Sequence, residues 1–208
     1  MDHAKVPFWV SAPRFEPFMR EADGDADRAR HLYLWHAELS SGVMEVAHHF
    51  EVLLRNAIDR ELGAGEPDEP VSETWLLDPL ILDPHGIARV EEVITRLKRE
   101  NKRVTRGRVV AGLSYGFWVN LFAARYESLW RTRLAIVFPG AGLRRNVHAR
   151  LELFQRLRNR VAHHDNILFQ PVESIHTGMV EVAGYIDPDA PAFFSVISRV
   201  PKLLATKP

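Results

Sequence analysis

Arg158, Asn159 and His163 occur with the spacing R-N-x-x-x-H inside the stretch QRLRNRVAHHDNI (155–167), and His164 follows directly. A histidine can take or give a proton near neutral pH, and an arginine offers several fixed donors to phosphate oxygens. An asparagine beside them can orient the imidazole or bind another phosphate oxygen. These residue types suit the attack of an RNA 2′-hydroxyl on the adjacent phosphate, a reaction that needs no metal.

The spacing does not bring all three side chains together on one helix. Asn159 and His163 are four residues apart and share a helix face, whereas Arg158 and His163 are five apart, about 140° around the axis. A second copy of the helix, packed across a two-fold axis, could bring both pairs into one cleft. The alternative is that an arginine and a histidine near a helix C-terminus only complement the helix dipole.

Glu51, Arg55 and His164 are further candidates for such a site. Glu51 and Arg55 lie four residues apart in HHFEVLLRNAIDREL, which is the favourable orientation for an ion pair. Beside an apolar stripe, these two side chains could reach across to orient Arg158 or His163. The alternative is a surface salt bridge that stabilises the helix by about 0.3–0.5 kcal/mol.

A basic segment, RLKRENKRVTRGR (residues 96–108), is the main candidate for contact with RNA. Charge is divided along the chain, with a net −11 over residues 1–95, +13 over 96–160 and −2 over 161–208, although the whole chain is neutral. This asymmetry indicates a polyanionic partner for the middle of the chain. A solvated face, or packing of acidic parts against the basic ones, explains the same charges. The seven cations of the segment are Arg96, Lys98, Arg99, Lys102, Arg103, Arg106 and Arg108.

An acidic stretch, GAGEPDEPVSE (63–73), precedes this segment and is predicted to be a mobile loop. Its carboxylates at Glu66, Asp68 and Glu69 could cover the basic segment and mask it from RNA. This hypothesis depends only on the division of charge along the chain.

Other catalytic patterns are weaker. GLSYG (112–116) matches the G-x-S-x-G nucleophile elbow around Ser114, but that motif needs a strand-turn-helix in a parallel sheet, and few segments alternate like strands. Glu45 and His48 form one E-x-x-H, whereas a di-metal bundle site needs two such pairs and two further glutamates. The chain has no cysteine, which excludes disulfides and thiolate chemistry. We therefore expect no metal site and no cofactor.

Helical periodicity dominates the chain and predicts the elements that must position these residues. The expected fold is an all-α bundle of about six helices in a single domain over residues 1–208. Its longest helix should run from about Asp27 to Leu62, with Asp25 or Asp27 as the cap and Gly63 at the end. Further helices are predicted at 84–101, with Asp83 as cap, and at 115–130, 143–164, 171–186 and 190–199.

The composition, 46% hydrophobic and 26% charged, is typical of a folded protein. The first residues lack the basic and apolar regions of a signal peptide, and no apolar run is long enough to span a bilayer. We expect a soluble, cytoplasmic protein with no membrane partner.

Three blocks in order give the chain a family resemblance. FEVLLRNAID (50–59), LSYGFWVNLF (113–122, followed by LW at 129–130) and LRNRVAHHDNI (157–167) resemble the Abi-like (abortive infection) family of the HEPN superfamily. The resemblance covers roughly residues 30–170. The family commonly has a glutamate and a proline after the two histidines, where this chain has Asp165 and Asn166.

The resemblance implies a helical bundle that forms a homodimer, with a composite active site of Arg158, Asn159 and His163. HEPN proteins of this kind are typically metal-independent endoribonucleases that leave a 2′,3′-cyclic phosphate. Many are toxins in phage defence, for which an antitoxin, either a protein or a small RNA, is a further expected partner. Other HEPN domains are inert and only bind RNA or nucleotides, so a non-catalytic binding module is the alternative.

Overall fold

Helices form the architecture of residues 5–208, the part of the chain that this computed structural model describes. The all-α prediction is confirmed for that part, which contains no β-strand. The number of helices exceeds the expected six for two reasons. Helices also form at Val6–Val10, Ala12–Glu21 and Arg106–Gly112, where none was predicted, and the segments predicted at 115–130 and 190–199 are each broken into shorter pieces. The α-helices are α1 (Val6–Val10), α2 (Ala12–Glu21), α3 (Ala26–Leu62), α4 (Pro84–Arg99), α5 (Arg106–Gly112), α6 (Tyr115–Asn120), α7 (Glu127–Leu129), α8 (Ala135–Val137), α9 (Arg144–Ala162), α10 (Val172–Ile186), α11 (Ala190–Ile197) and α12 (Val200–Ala205).

The long helix α3 is the central element and matches its prediction to within one residue. The Asp25 carboxylate accepts hydrogen bonds from the amides of Asp27 and Arg28 and so caps the N-terminus, while Gly63 ends the helix. Its apolar residues recur every three or four positions and are buried against α2, α6, α9, α10 and α12. Since helices from both halves of the chain pack on α3, one continuous hydrophobic core results.

Helix α4 begins as predicted at Pro84, after an Asp83 cap whose carboxylate accepts from the Gly86 amide at 2.7 Å. It ends at Arg99, two residues before the predicted end. Asn101 follows with a positive φ of 52°, and the Lys102 amide donates to the Leu97 carbonyl. This left-handed ending satisfies the last carbonyls of the helix and turns the chain away.

The aromatic segment predicted as one helix over 115–130 is instead broken after Asn120. A straight helix buries one stripe of side chains, but Phe117, Trp118, Val119, Leu121 and Phe122, which would spread over more than half of a helix surface, are all buried here. The chain therefore turns through a 3₁₀ turn at Ala124–Tyr126 and continues as α7, a π-helical stretch at Trp130–Leu134 and α8. The guanidinium of Arg144 donates to the Phe122 carbonyl that the break leaves without a helical partner.

The last four helices complete the bundle. Helix α9 packs against both α3 and α10, which puts its apolar stripe in the core. The helix predicted at 171–186 is present as α10, whereas the one predicted at 190–199 divides at Ser198 into α11 and α12. Among the helices of residues 5–208, none combines the length and apolar character that crossing a membrane requires.

Candidate functional site

Arg158 lies where α9 packs against α3, and it has two polar neighbours. One guanidinium nitrogen is 3.9 Å from a carboxylate oxygen of Glu51 on α3, and another donates to the Asn159 side-chain oxygen at 3.3 Å. The Arg158 side chain is 32% exposed, so it remains open to solvent and to a ligand. The predicted contact between Glu51 and Arg158 is therefore present within a single chain.

Glu51 and Arg55 form the buried side of this cluster. Partial burial raises the pKa of the Glu51 carboxyl, and the positive charges of Arg158, Arg55 and His48 oppose that rise. The Arg55 Nε is buried and has no hydrogen-bond partner among the described residues. A carboxylate in this setting restricts the Arg158 guanidinium without fully neutralising it, which leaves donors of Arg158 for an incoming anion.

Tyr115 is a neighbour of Glu51 and Arg158 that the catalytic sequence patterns did not predict. Its side chain is almost fully buried, and its hydroxyl has no hydrogen-bond partner within residues 5–208. Burial raises the pKa of the Tyr115 hydroxyl well above its ordinary value, and the nearby Glu51 charge raises it further. The signal was present in the sequence, because Tyr115 lies in the LSYGFWVNLF block that carries part of the family resemblance.

Gly116 allows α6 to approach α9 closely at this point. A Cβ atom added to Gly116 would lie 2.8 Å from the side-chain nitrogen of Gln155, one turn before Arg158. The end of the flexible Gln155 side chain would have to move to make room for that atom, which shows how close the two helices are here. The close approach places the Tyr115 end of α6 beside the Arg158 cluster.

His163 stands at the very end of α9 and is exposed. The His164 amide donates to the Val161 carbonyl and the Asp165 amide to the Arg160 carbonyl. This pattern ends a helix with one residue in the left-handed conformation, here His164 with φ 58°. Glycine usually occupies that position, since a side chain there is strained. The two histidines are thus presented on a tightly defined turn rather than within the helix.

The turn that follows α9 is held to α3 by a half-buried histidine, His36. The Ile167 amide donates to His36 Nε2 at 3.0 Å, and the Arg160 guanidinium donates to the Asn166 carbonyl. Because Nε2 accepts this bond, the ring proton of neutral His36 is on Nδ1. Burial lowers the pKa of His36, which favours this neutral form.

Within a single chain, the side chains of Arg158, Asn159 and His163 do not all contact one another. Arg158 and Asn159 contact each other, but no hydrogen bond or ion pair in the described structure joins Arg158 to His163. This agrees with the geometric argument that residues five apart diverge around a helix. A site that uses both side chains on one phosphate therefore needs a ligand or a second copy between them.

The basic segment is held largely by contacts inside the fold. Arg106 donates to the Gly63 carbonyl, lies within 4 Å of both Asp59 and Glu66, and is only 19% exposed, so its guanidinium is committed to the fold. Arg103 pairs with Glu69, with 2.6 Å between nitrogen and oxygen. The acidic stretch at 63–73 thus packs against the basic segment, which is the alternative explanation of the charge asymmetry.

The other cations of the segment differ in their contacts. Arg96 donates to the Gly112 carbonyl, Arg108 donates to the Arg103 carbonyl, and Lys102 pairs with the neighbouring Glu100. Lys98 and Arg99 are exposed in the last turn of α4. RNA contact through these exposed side chains stays a prediction.

The structure supports neither the G-x-S-x-G pattern nor a cluster of metal ligands among the described residues. Ser114 immediately precedes α6 as a turn residue, and with no strand in residues 5–208 it lacks the strand-turn-helix that a nucleophile elbow requires. Within the same residues, no group of three or more histidine, aspartate or glutamate side chains is gathered as metal ligands would be.

Comparison of the chain with protein-family models, with curated proteins and with solved structures finds no significant match.

Proposed function

We propose that the protein is a metal-independent endoribonuclease of the HEPN type, acting as a cytoplasmic abortive-infection toxin in phage defence. The observation that carries the proposal is the polar cluster at the end of α9. There, Arg158 is held between Glu51 and Asn159, and the exposed His163 follows little more than one helical turn later. A partly exposed guanidinium and, five residues later, an exposed imidazole are a combination suited to a phosphodiester.

The proposed reaction uses the RNA's own 2′-hydroxyl. Its oxygen bonds to phosphorus while the bond from phosphorus to the 5′-oxygen breaks, which leaves a 2′,3′-cyclic phosphate. One His163 takes the 2′-hydroxyl proton and another group of the site protonates the leaving 5′-oxygen. Arg158 stabilises the charge that grows on the phosphate oxygens, and Asn159 and Glu51 orient the Arg158 guanidinium.

A homodimer supplies the second set of groups in this proposal. One chain holds Arg158 and His163 in separate contacts, so a two-fold partner is the simplest source of a second imidazole for the leaving group.

An RNA cleavage assay in EDTA tests the reaction. Wild type should cut RNA and leave cyclic phosphate ends, and H163A should lose about 10²–10⁴-fold in rate because its proton-transfer group is gone. RNA affinity should be retained by H163A. The matched control is H31A, which removes an exposed histidine on α3 away from the cluster, and this variant should cut like wild type.

Two results would contradict the proposed reaction. Wild type that binds RNA in a salt-dependent way but never cuts it would favour the non-catalytic binding module. Equal cleavage by H163A and wild type would remove His163 from the site.

Complementation tests the shared site. R158A and H163A dimers, each inactive alone, should regain part of the activity when subunits are exchanged, provided that each site takes residues from both chains. Lack of recovery in verified mixed dimers would mean that each chain acts by itself.

A further inference from the structure

A cavity of about 530 Å³ lies directly beside the candidate site, between α2, α3 and the turn that follows α9. Its polar lining comes from Arg14 and Tyr33, from His36 and Ser40, and from the turn residues His164, Asp165 and Asn166. His164 is bonded to His163, so the cavity begins one residue away from the proposed proton-transfer group. Its volume is within the range of pockets that bind small molecules.

One wall of the cavity is aromatic. The rings of Tyr33 and Phe18 meet edge to face with centroids 5.4 Å apart, and the His36 ring packs on Phe18 at 5.3 Å. Phe18 is buried, while Tyr33 is partly exposed and presents its surface to the cavity side of α3. Partly exposed aromatic rings of this kind are the surfaces on which proteins stack unpaired bases.

Asn166 belongs to the opposite wall, and its side chain is held by a hydrogen bond within the turn. The Asn166 side-chain oxygen accepts from the Leu168 amide at 2.6 Å, which fixes the other end of the side chain as the NH₂ group. That NH₂ nitrogen is buried and has no hydrogen-bond partner within residues 5–208. Because this nitrogen has almost no accessible surface, it lies behind the cavity wall and a ligand in the cavity does not reach it.

The cavity also has one charged group of each sign. Arg14 is an exposed cation at the α2 side of the cavity, and the Asp165 carboxylate lines the cavity from the turn. An aromatic wall, a carboxylate acceptor and an arginine match the ring, the polar edge and the phosphate of one nucleotide.

We propose that this cavity binds one nucleotide of the RNA substrate, the base against Tyr33 and its phosphate near Arg14, next to the phosphate that is cut. The RNA source of the nucleotide rests on the proposed function, whereas nucleotide binding itself does not. The turn at His164 then links base recognition to the position of His163.

A substitution that fills the cavity and leaves the residues around Arg158 unchanged tests this proposal. A37W places a large ring into it from an exposed position on α3, and the matched control E38W adds the same ring at the next position, which does not line the cavity. The readout is binding of nucleoside 3′-monophosphates, followed by calorimetry or NMR. A37W should weaken binding by at least tenfold and E38W by less than twofold.

Two further variants keep the test decisive if A37W folds poorly. Y33A should weaken nucleotide binding about ten- to hundredfold through lost stacking, and R14A should weaken monophosphates more than free nucleosides. Binding that is unchanged in Y33A and R14A, or absent from wild type, overturns the proposal.

Cleavage then identifies the source of the nucleotide. If free monophosphates compete with RNA for wild type, and A37W lowers cleavage or changes the preferred base at the cut, the occupant is the substrate. If nucleotides bind without affecting cleavage, the substrate assignment is wrong. Nucleotide binding by a protein that cuts no RNA would end the proposed function but leave the nucleotide site intact, whereas cleavage without nucleotide binding would do the reverse.

Discussion

The C-terminal ends of α4 and α9 have the same backbone geometry but very different surroundings. Each helix ends with a non-glycine residue in the left-handed conformation, Asn101 after α4 and His164 after α9, and each is rich in cations. The cations that follow α4 are met by acidic side chains of the 63–73 stretch, as in the Arg103–Glu69 pair. At the end of α9, Arg158 keeps a longer contact with one carboxylate.

This difference shows that the number of cations in a segment is a poor guide to its role. The basic segment has the higher density of charge, but its Arg106 side chain already contacts the Gly63 carbonyl and two carboxylates. The sparser end of α9 keeps donors that an anion can reach. Single substitutions separate the two ends experimentally.

R158A should lower RNA cleavage by about 10²–10³-fold, because it removes the donor proposed to stabilise transition-state charge. Its free energy of unfolding should change by less than about 1 kcal/mol, since the contact with Glu51 is long and partly exposed. Single-turnover cleavage and urea unfolding measure the two effects. The control is R156A, an exposed arginine on the same helix; an equal loss of cleavage in both variants would contradict the assignment.

R106A should show the opposite pattern and destabilise the protein by about 1.5–3 kcal/mol. The variant leaves the Gly63 carbonyl without its donor and Asp59 and Glu66 without their cation. Urea unfolding measures the loss, and cleavage by the folded fraction should stay near that of wild type. R99A, in the exposed last turn of α4, is the control and should lose less than about 0.5 kcal/mol; comparable losses would mean that Arg106 is not structural.

H36F should cost about 1–3 kcal/mol at pH 8, because the buried Ile167 amide loses its acceptor. It should also flatten the pH dependence. The pKa of folded His36 is below the unfolded value of 6.5, so between the two values only the unfolded state is protonated at this residue and wild-type stability falls as the pH drops below about 6.5.

Urea unfolding of wild type and H36F at pH 8, 7, 6 and 5 measures this prediction. Burial also lowers the pKa of His148 and of His176, so H36F should keep part of the acid sensitivity. Identical losses in the two proteins between pH 7 and pH 5 would show that the His36 contact is not the pH-sensitive one.

H164G should stabilise the protein by about 0.5–1 kcal/mol, because glycine adopts the left-handed conformation without the strain of a side chain. N101G makes the same change at the end of α4 and should gain less, since asparagine tolerates this conformation better than most residues. The midpoints of urea unfolding compare the two ends directly. A gain at Asn101 larger than that at His164 would reverse the expected order.

E69Q should raise RNA affinity by a few-fold, the smallest effect of the series. It releases Arg103 from its ion pair, so one more cation can meet a phosphate and the salt dependence should steepen by about one unit of log-log slope. Fluorescence anisotropy at several salt concentrations measures both. E73Q makes the same charge change at an exposed position of the acidic stretch, and equal effects of the two variants would indicate a general field rather than release of Arg103.

Local signals in the sequence were sufficient for the helices that have clear ends. Asp25 before α3, and Asp83 with Pro84 before α4, are caps whose hydrogen bonds form as their residue types predict. The segment after Tyr115 has no such signal. Its break at Asn120 follows from burying rings on every side of the chain, and from a donor at Arg144 that lies far along the sequence.

The candidate site was predictable in part for the same reason. Glu51 and Arg158 could be paired from their places beside apolar stripes, because packing stripes brings such neighbours together. Gly63 and Glu66, two partners of Arg106 that are about forty residues away in an irregular stretch, have no periodic pattern to reveal them. Nor does any spacing predict the His36 contact with Ile167, which joins a helix to a turn 131 residues later.

The length of α3 has a consequence for local opening of the protein. Its 37 residues form a rod about 55 Å long that contacts α2, α6, α9, α10 and α12. The amide hydrogens in the middle of such a rod should exchange with deuterium only when the whole protein unfolds. Exchange should be faster at the exposed end of α9 around His163 and His164, so local opening near the candidate site should begin there and leave the middle of α3 closed.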